Sequence, residues 1–201
     1  MAKQIQGVGQ RVLDCAREEF LEKGYLDASL REIAKAADTS TGSIYTRFGD
    51  KGGLFRALVE PAATDMKELG KKLQNPEPDS EFSMFTHPKI LDFVYANFDA
   101  FYLLTQAAYG SEYGGYMGEL IGMVEQHTYE YLVNAGYDAI LQGPAVQEFL
   151  HILATAYCDA IFEPVRHKMS REKAEAYVRL FETYHMAGFR AIFERAPRKK
   201  Q

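Results

Sequence analysis

Tryptophan is absent from this chain, and cysteine occurs only twice, at Cys15 and Cys158. The two thiols fall in helical patterns far apart in sequence, so a disulfide framework or a cysteine metal cluster is excluded and two reduced thiols are expected. Proline is sparse, seven residues in 201, and sits mostly at segment edges. Strand-like alternation is scarce as well, which makes the chain all-α. No apolar run reaches the ~18 residues of a membrane span. No signal-like segment opens the chain, so a cytoplasmic protein without a membrane partner is expected. Phosphate-cradling Gly-x-x-x-x-Gly-Lys loops and nucleophile elbows are missing too. Neither catalytic residues nor a cofactor is expected.

A basic excess is also lacking. The net charge is −5. Residues 1–56 hold nine Lys/Arg against eight Asp/Glu, a net of +1, and the remaining 145 hold fourteen against twenty, a net of −6. The asymmetry has the sign for nucleic-acid binding at the N-terminal end, but phosphate contacts must come from a few placed donors rather than a basic field. The length suits one large domain, or a small one plus a larger one; the expected division is 1–50 and 51–201.

What the chain does have is concentrated in Ser29–Leu54, SLREIAKAADTSTGSIYTRFGDKGGL. Leu30, Ile33, Ala34 and Ala37 recur at helical spacing. Ser29 and Glu32 have the spacing of a capping box. Asp38, Thr39 and Ser40 break the pattern with residues that tolerate turns. Ser40 then caps a second helix over 41–48. Its apolar side is Ile44 and Phe48, and its other sides carry Thr41, Ser43, Tyr45, Thr46 and Arg47, all hydrogen-bond donors. Two short helices with a donor-rich second face predict a helix-turn-helix for the DNA major groove.

The stretch resembles the DNA-binding signature of TetR-family transcriptional regulators. The match lies at Ile33, Ala34, Ala37, Ser40, Gly42, Ile44, Tyr45, Phe48, Lys51 and Leu54. It departs where Asp38 and Thr39 stand for Gly-Val, where Arg47 replaces histidine, and where Gly52 and Gly53 replace helix-favouring acidic residues. The last departure predicts a soft start to the next helix. The resemblance implies an N-terminal three-helix DNA-binding domain and a larger helical domain for effector binding and dimerisation. It implies a homodimeric regulator, a repressor that leaves a palindromic operator when a small molecule binds. The DNA-binding residues it points to are Ser29, Ser40, Thr41, Ser43, Tyr45, Thr46, Arg47 and Lys51. Thr41, Ser43 and Thr46 suit base edges; Tyr45, Arg47, Lys51 and Ser29 suit phosphates.

Before this stretch, residues 1–7 read as an arm, and a first helix runs from Val8 to Gly24. After it, Asp50 caps a fourth helix over 51–73. Pro61 lies inside that helix and predicts a kink near Ala57 and Leu58. A hinge and a static bend both fit. Residues 74–87 read as a linker. From Pro88 to Ala108 a long aromatic helix is expected. Gly110, Gly114, Gly118 and Gly122 then recur every four residues. Three arrangements fit: close helix approach, room for a ligand, or a plain loop over the first of them. The ligand set is the aromatic middle: Phe98, Phe101, Tyr102, Tyr109, Tyr113, Tyr116 and Tyr131. Two last helices, from Pro144 to His167 and from Ser170 onward, form a hairpin with wide apolar faces. The dimer-interface set is Phe149, Leu153, Tyr157, Phe181, His185 and Phe189.

One rival comes from the same hairpin. Glu148-x-x-His151 and Glu182-x-x-His185 have the i, i+3 spacing of di-iron helical bundles. They sketch a helical-bundle enzyme or ligand-binding protein, with a metal held by those four residues.

Overall fold

The computed structural model describes residues 2–73, 88–137 and 141–193. The linker expected at 74–87 lies outside the described residues, as do residues 194–201. Among the described residues the secondary structure is helical throughout, without a strand. No helix is long and apolar enough to cross a membrane.

Helix α1 covers Ala2–Asp27, α2 Leu30–Ala36, α3 Thr41–Phe48 and α4 Lys51–Leu73. Helix α1 starts well before Val8, and it breaks at Gly24, where the sequence places its stop. That glycine takes a non-helical conformation, φ 75° and ψ 170°, and the helix resumes beyond it. Ala28 N–H still finds the Gly24 carbonyl at 3.2 Å. Pro61 is accommodated within α4.

The expected single helix over 88–108 is divided. Helix α5 is Pro88–Ala96 and α6 is Phe98–Tyr102, with a turn of π-helix over Leu103–Ala107. Asn97 departs from helical geometry at φ −123° and ψ 36°. The chain then turns over 108–115, and α7 runs Tyr116–Asn134. Of the glycine series, Gly110 and Gly114 therefore sit in the turn, while Gly118 and Gly122 lie on α7 with open space where a side chain would be. The final hairpin is α8, Val146–Arg166, and α9, Arg171–Phe193. Ser170 caps α9 by accepting from Lys173 N–H.

The chain forms two compact units. The first is 1–68 with 96–116; the second is 69–95 with 117–201. The core of the first is Val12, Ala16 and Phe20 of α1, Ile33 and Ala34 of α2, Ile44 of α3, and Leu54, Phe55 and Val59 of α4. Phe20, Tyr25 and Phe55 make an aromatic triangle, with ring centroids 5.0–6.1 Å apart. Segment 96–116 closes this core with Phe101, Leu103, Leu104, Ala107 and Ala108, all buried. In the second unit Leu150, Ala154, Tyr157, Ile161 and Val165 of α8 meet Ala174, Val178 and Phe189 of α9 in the buried interior.

Candidate nucleic-acid interface

The interface is built on the turn between α2 and α3. Asp38 takes the left-handed conformation, φ 49°, as its short polar side chain allows. Ser40 then stands at the N-cap of α3, and its Oγ accepts from Ser43 N–H at 3.2 Å. Ile44 is fully buried and fixes the rotation of α3 about its axis. That rotation puts Tyr45, Thr46 and Arg47 outside, with Thr41 and Ser43 half-buried at the margin. Tyr45 is 54% exposed, unusual for an aromatic residue without a partner surface. Arg47 Nη1 donates to the Ser43 carbonyl and to Ser43 Oγ, so the guanidinium is folded back along its own helix. Thr46 Oγ1 donates to the Gly42 carbonyl at 2.8 Å, and the residue is exposed.

The start of α2 differs from the expectation. Ser29 occupies the N-cap, but its side chain makes no capping bond. Its backbone N–H is taken instead by Glu19 Oε1 of α1 at 3.0 Å. Burial alone would raise the Glu19 carboxyl, but hydrogen bonds from Lys23 and from Ser29 N–H outweigh it and hold the group below its ordinary value. The capping role passed from Glu32, local in sequence, to a residue ten positions upstream. Only the packing of α1 on α2 makes that substitution visible.

The exit of α3 is also different. Asp50 Oδ1 accepts from Gly53 N–H at 2.7 Å and so caps α4. A Cβ on Gly53 would lie 1.9 Å from the Phe48 carbonyl oxygen. The glycine is therefore required by a close backbone approach, and the junction is tight rather than soft. Lys51 reaches back to the end of α1. Its Nζ donates to the carbonyls of Leu26 at 2.9 Å and Ala28 at 3.2 Å, and lies 4.9 Å from the Tyr25 ring centroid. In this state the ammonium is committed to carbonyls at and just past the end of α1.

Two cations were passed over in the sequence. Arg31 and Lys35 stand one turn apart on the exposed side of α2, opposite the buried Ile33, Ala34 and Ala37. Their signal was the same helical period that identified the apolar face.

Phe98, Phe101, Tyr102, Tyr109, Tyr113 and Tyr116 belong to the first unit, and Tyr131 to the second. Phe101 and Tyr116 are buried, Phe98, Tyr102, Tyr113 and Tyr131 are half-buried, and Tyr109 is 80% exposed. The Tyr113 ring lies 6.3 Å from Phe55, and the adjacent Glu112 accepts from Arg56 Nε at 2.7 Å. These residues brace the helix-turn-helix. Burial raises the Tyr113 phenol, with Glu60 and Glu112 adding to it.

In the hairpin, Tyr157, His185 and Phe189 are buried inside the protomer, and Phe149, Leu153 and Phe181 are half-buried. His185 packs 5.2 Å from Phe181 and 6.2 Å from Tyr157, ring to ring, and burial lowers its pKa. The outward apolar surface is a different set: Ile152 on α8, and Leu180 and Tyr184 on α9, with Gly188 and Ile192 continuing the row. Cys158 is buried, and burial pushes its thiol up to about 12. It is therefore a packing residue rather than a nucleophile. The metal sketch does not assemble. His151 Nδ1 pairs with Glu125 at 2.9 Å, and the described residues contain no group of three His, Cys, Asp or Glu side chains able to hold an ion.

Residues 12–58 match the family of bacterial regulatory proteins, tetR family. The HTH-type transcriptional regulator AcrR of Shigella flexneri is 35% identical over 82 residues, 41% of this chain and 38% of that protein. The HTH-type transcriptional repressor AcnR of Corynebacterium glutamicum is 42% identical over 60 residues, 30% of this chain and 32% of that protein. The matched stretches thus span under half of those relatives' length. Solved structures extend the likeness of fold to nearly the whole chain. A transcriptional regulator of Aquifex aeolicus VF5 superposes with TM-score 0.60 at 18% identity, over 88% of this chain and 98% of its own. NalD, the secondary repressor of the MexAB-OprM multidrug efflux pump in Pseudomonas aeruginosa, gives TM-score 0.56 at 20% identity, over 87% and 94%.

Proposed function

We propose, from the match of residues 12–58 to the tetR family of bacterial regulatory proteins, that this chain is a homodimeric repressor that releases its operator when a small molecule binds. The observation that carries the reading is the exposed face of α3, held by the Ser40 cap and the buried Ile44. Thr41, Ser43 and Thr46 are the base-edge contacts, with the threonine methyls suited to thymine. Arg47 and Tyr45 contact phosphates, joined by Arg31 and Lys35 from α2. Ser29, with its hydroxyl free of any cap bond, adds a donor at the start of α2. Arg47 must swing off Ser43 to reach a phosphate, which also frees the Ser43 hydroxyl for a base.

One such unit spans too few base pairs for specificity, so two copies read a palindromic site. The exposed row Ile152, Leu180, Tyr184 and Gly188 supplies the pairing face. Helix α4 is the covalent continuation from the recognition unit into the second unit, so an effector acts through it. It can do so only by binding the DNA-competent and DNA-free states unequally.

The test is selection of bound DNA by the purified protein, followed by affinity measurements on Arg47→Ala and Tyr45→Phe. Enrichment of a palindrome and weakened binding by both variants support the reading. Unchanged operator affinity in both would refute the phosphate roles.

A further inference from the structure

The second unit contains a groove that the function above does not use. It lies where α9 packs on α5 and α8, with a volume of about 330 Å3, the size of a small-molecule site. Leu91 of α5, Ile161 of α8 and Val178 of α9 form an apolar floor, each no more than 6% exposed. Glu175 and Glu182 are seven residues apart on one face of α9, about 10 Å along the helix, and Asp92 faces them from α5.

The charges of the groove do not balance. Arg171 is fully engaged. It donates to Asp92 Oδ1, to Glu175 Oε1 at 2.9 Å and to the Leu91 carbonyl at 3.1 Å, and its guanidinium lies 5.2 Å from the Tyr95 ring centroid. Arg179 is exposed at the rim, one turn from Glu182. Three carboxylates thus face two guanidiniums, leaving one negative charge over. Glu175 and Glu182 are both half-buried, and Glu175 is the one paired with Arg171. Burial holds the Glu182 carboxyl above the ordinary value, and Arg179 offsets this only in part. A carboxylate beside an apolar floor is complementary to a cation that carries its own apolar body.

We propose that this groove binds an amphipathic amine, with the ammonium on the Glu182 carboxylate and the apolar chain along Leu91, Ile161 and Val178. The assignment deepens the proposed function by naming the effector class. It rests on that function only for the consequence on DNA, not for the binding itself.

Calorimetry on the full-length protein tests it with two probes of equal chain length, n-octylamine and octanoate. The amine binds at least tenfold more tightly than the carboxylate. Glu182→Gln lowers amine affinity at least tenfold and leaves octanoate unchanged, while Glu172→Gln, exposed on the same helix outside the groove, changes neither. Equal binding of the two probes to the native protein overturns the proposal without recourse to any variant. So does an undiminished amine affinity in a folded Glu182→Gln protein. Operator titrations separate the two readings. An amine that binds without altering operator affinity overturns the effector role alone. A protein that selects no DNA but binds the amine overturns the repressor reading and supports the site.

Discussion

Gly53 shows how much one hydrogen in place of a methyl can decide. The Phe48 carbonyl leaves no room for a Cβ, and the obstacle is backbone, which cannot turn aside. Gly53→Ala is therefore expected to destabilise the first unit by about 1–3 kcal/mol, seen as a lower melting temperature, and to weaken DNA binding. Gly122 on α7 is the opposite case, with open space around its Cα. Gly122→Ala should raise stability by about 0.5–1 kcal/mol, because only chain entropy and helix propensity change. Equal effects from the two substitutions would show that packing at the α3–α4 junction is not what retains glycine there. From the sequence both read as the same residue with the same cost, since a collision with a backbone oxygen five positions back depends on the path of the chain.

Glu19 carries a second residue-scale expectation. Its folded-state carboxyl lies below the ordinary 4.5. The stabilisation it gives is thus fully present above the unfolded value and is lost as pH falls through the lower folded value. Urea denaturation of the native protein and Glu19→Gln across this acid range should show the native advantage shrinking as pH decreases. A constant difference between pH 6 and pH 3 would remove Glu19 from that role.

At the scale of elements, the α8–α9 hairpin separates two kinds of apolar residue that periodicity alone merges. Tyr157, His185 and Phe189 close the protomer, whereas Leu180, 75% exposed, and Tyr184, 78% exposed, stand on the outer side of α9. An apolar stripe this exposed needs a second surface. The double substitution Leu180→Glu with Tyr184→Arg should convert the proposed dimer to monomer in sedimentation and reduce operator affinity by more than tenfold. It should leave the helical signal intact. A variant that remains dimeric places the pairing surface elsewhere. The two helices were legible from their hydrophobic period and from the cap at Ser170. Which of two apolar faces turns inward was not, because both satisfy the same repeat.

At the scale of the molecule, the recognition unit is discontinuous in sequence. Segment 96–116 returns to it with five buried apolar residues, and the ion pair of Arg56 with Glu112 joins α4 to the same segment. A chain ending at Glu68 lacks this closing layer. It should melt at a lower temperature and exchange its backbone amides faster over α1 and α4 than the full chain does. Equal protection in both would make the helix-turn-helix self-sufficient.

The chain's own sequence determined the helical class, the turn at Asp38, the Ser40 cap and the outward donors of α3. Each depends on contacts within a few residues, where period, capping and turn chemistry act. Tertiary structure alone decided that Glu19 serves α2, that Lys51 holds the end of α1, that Gly53 seats a carbonyl, and that Tyr113 packs against Phe55. Those outcomes depend on the path by which the chain brings surfaces together, and local preference carries no information about that path.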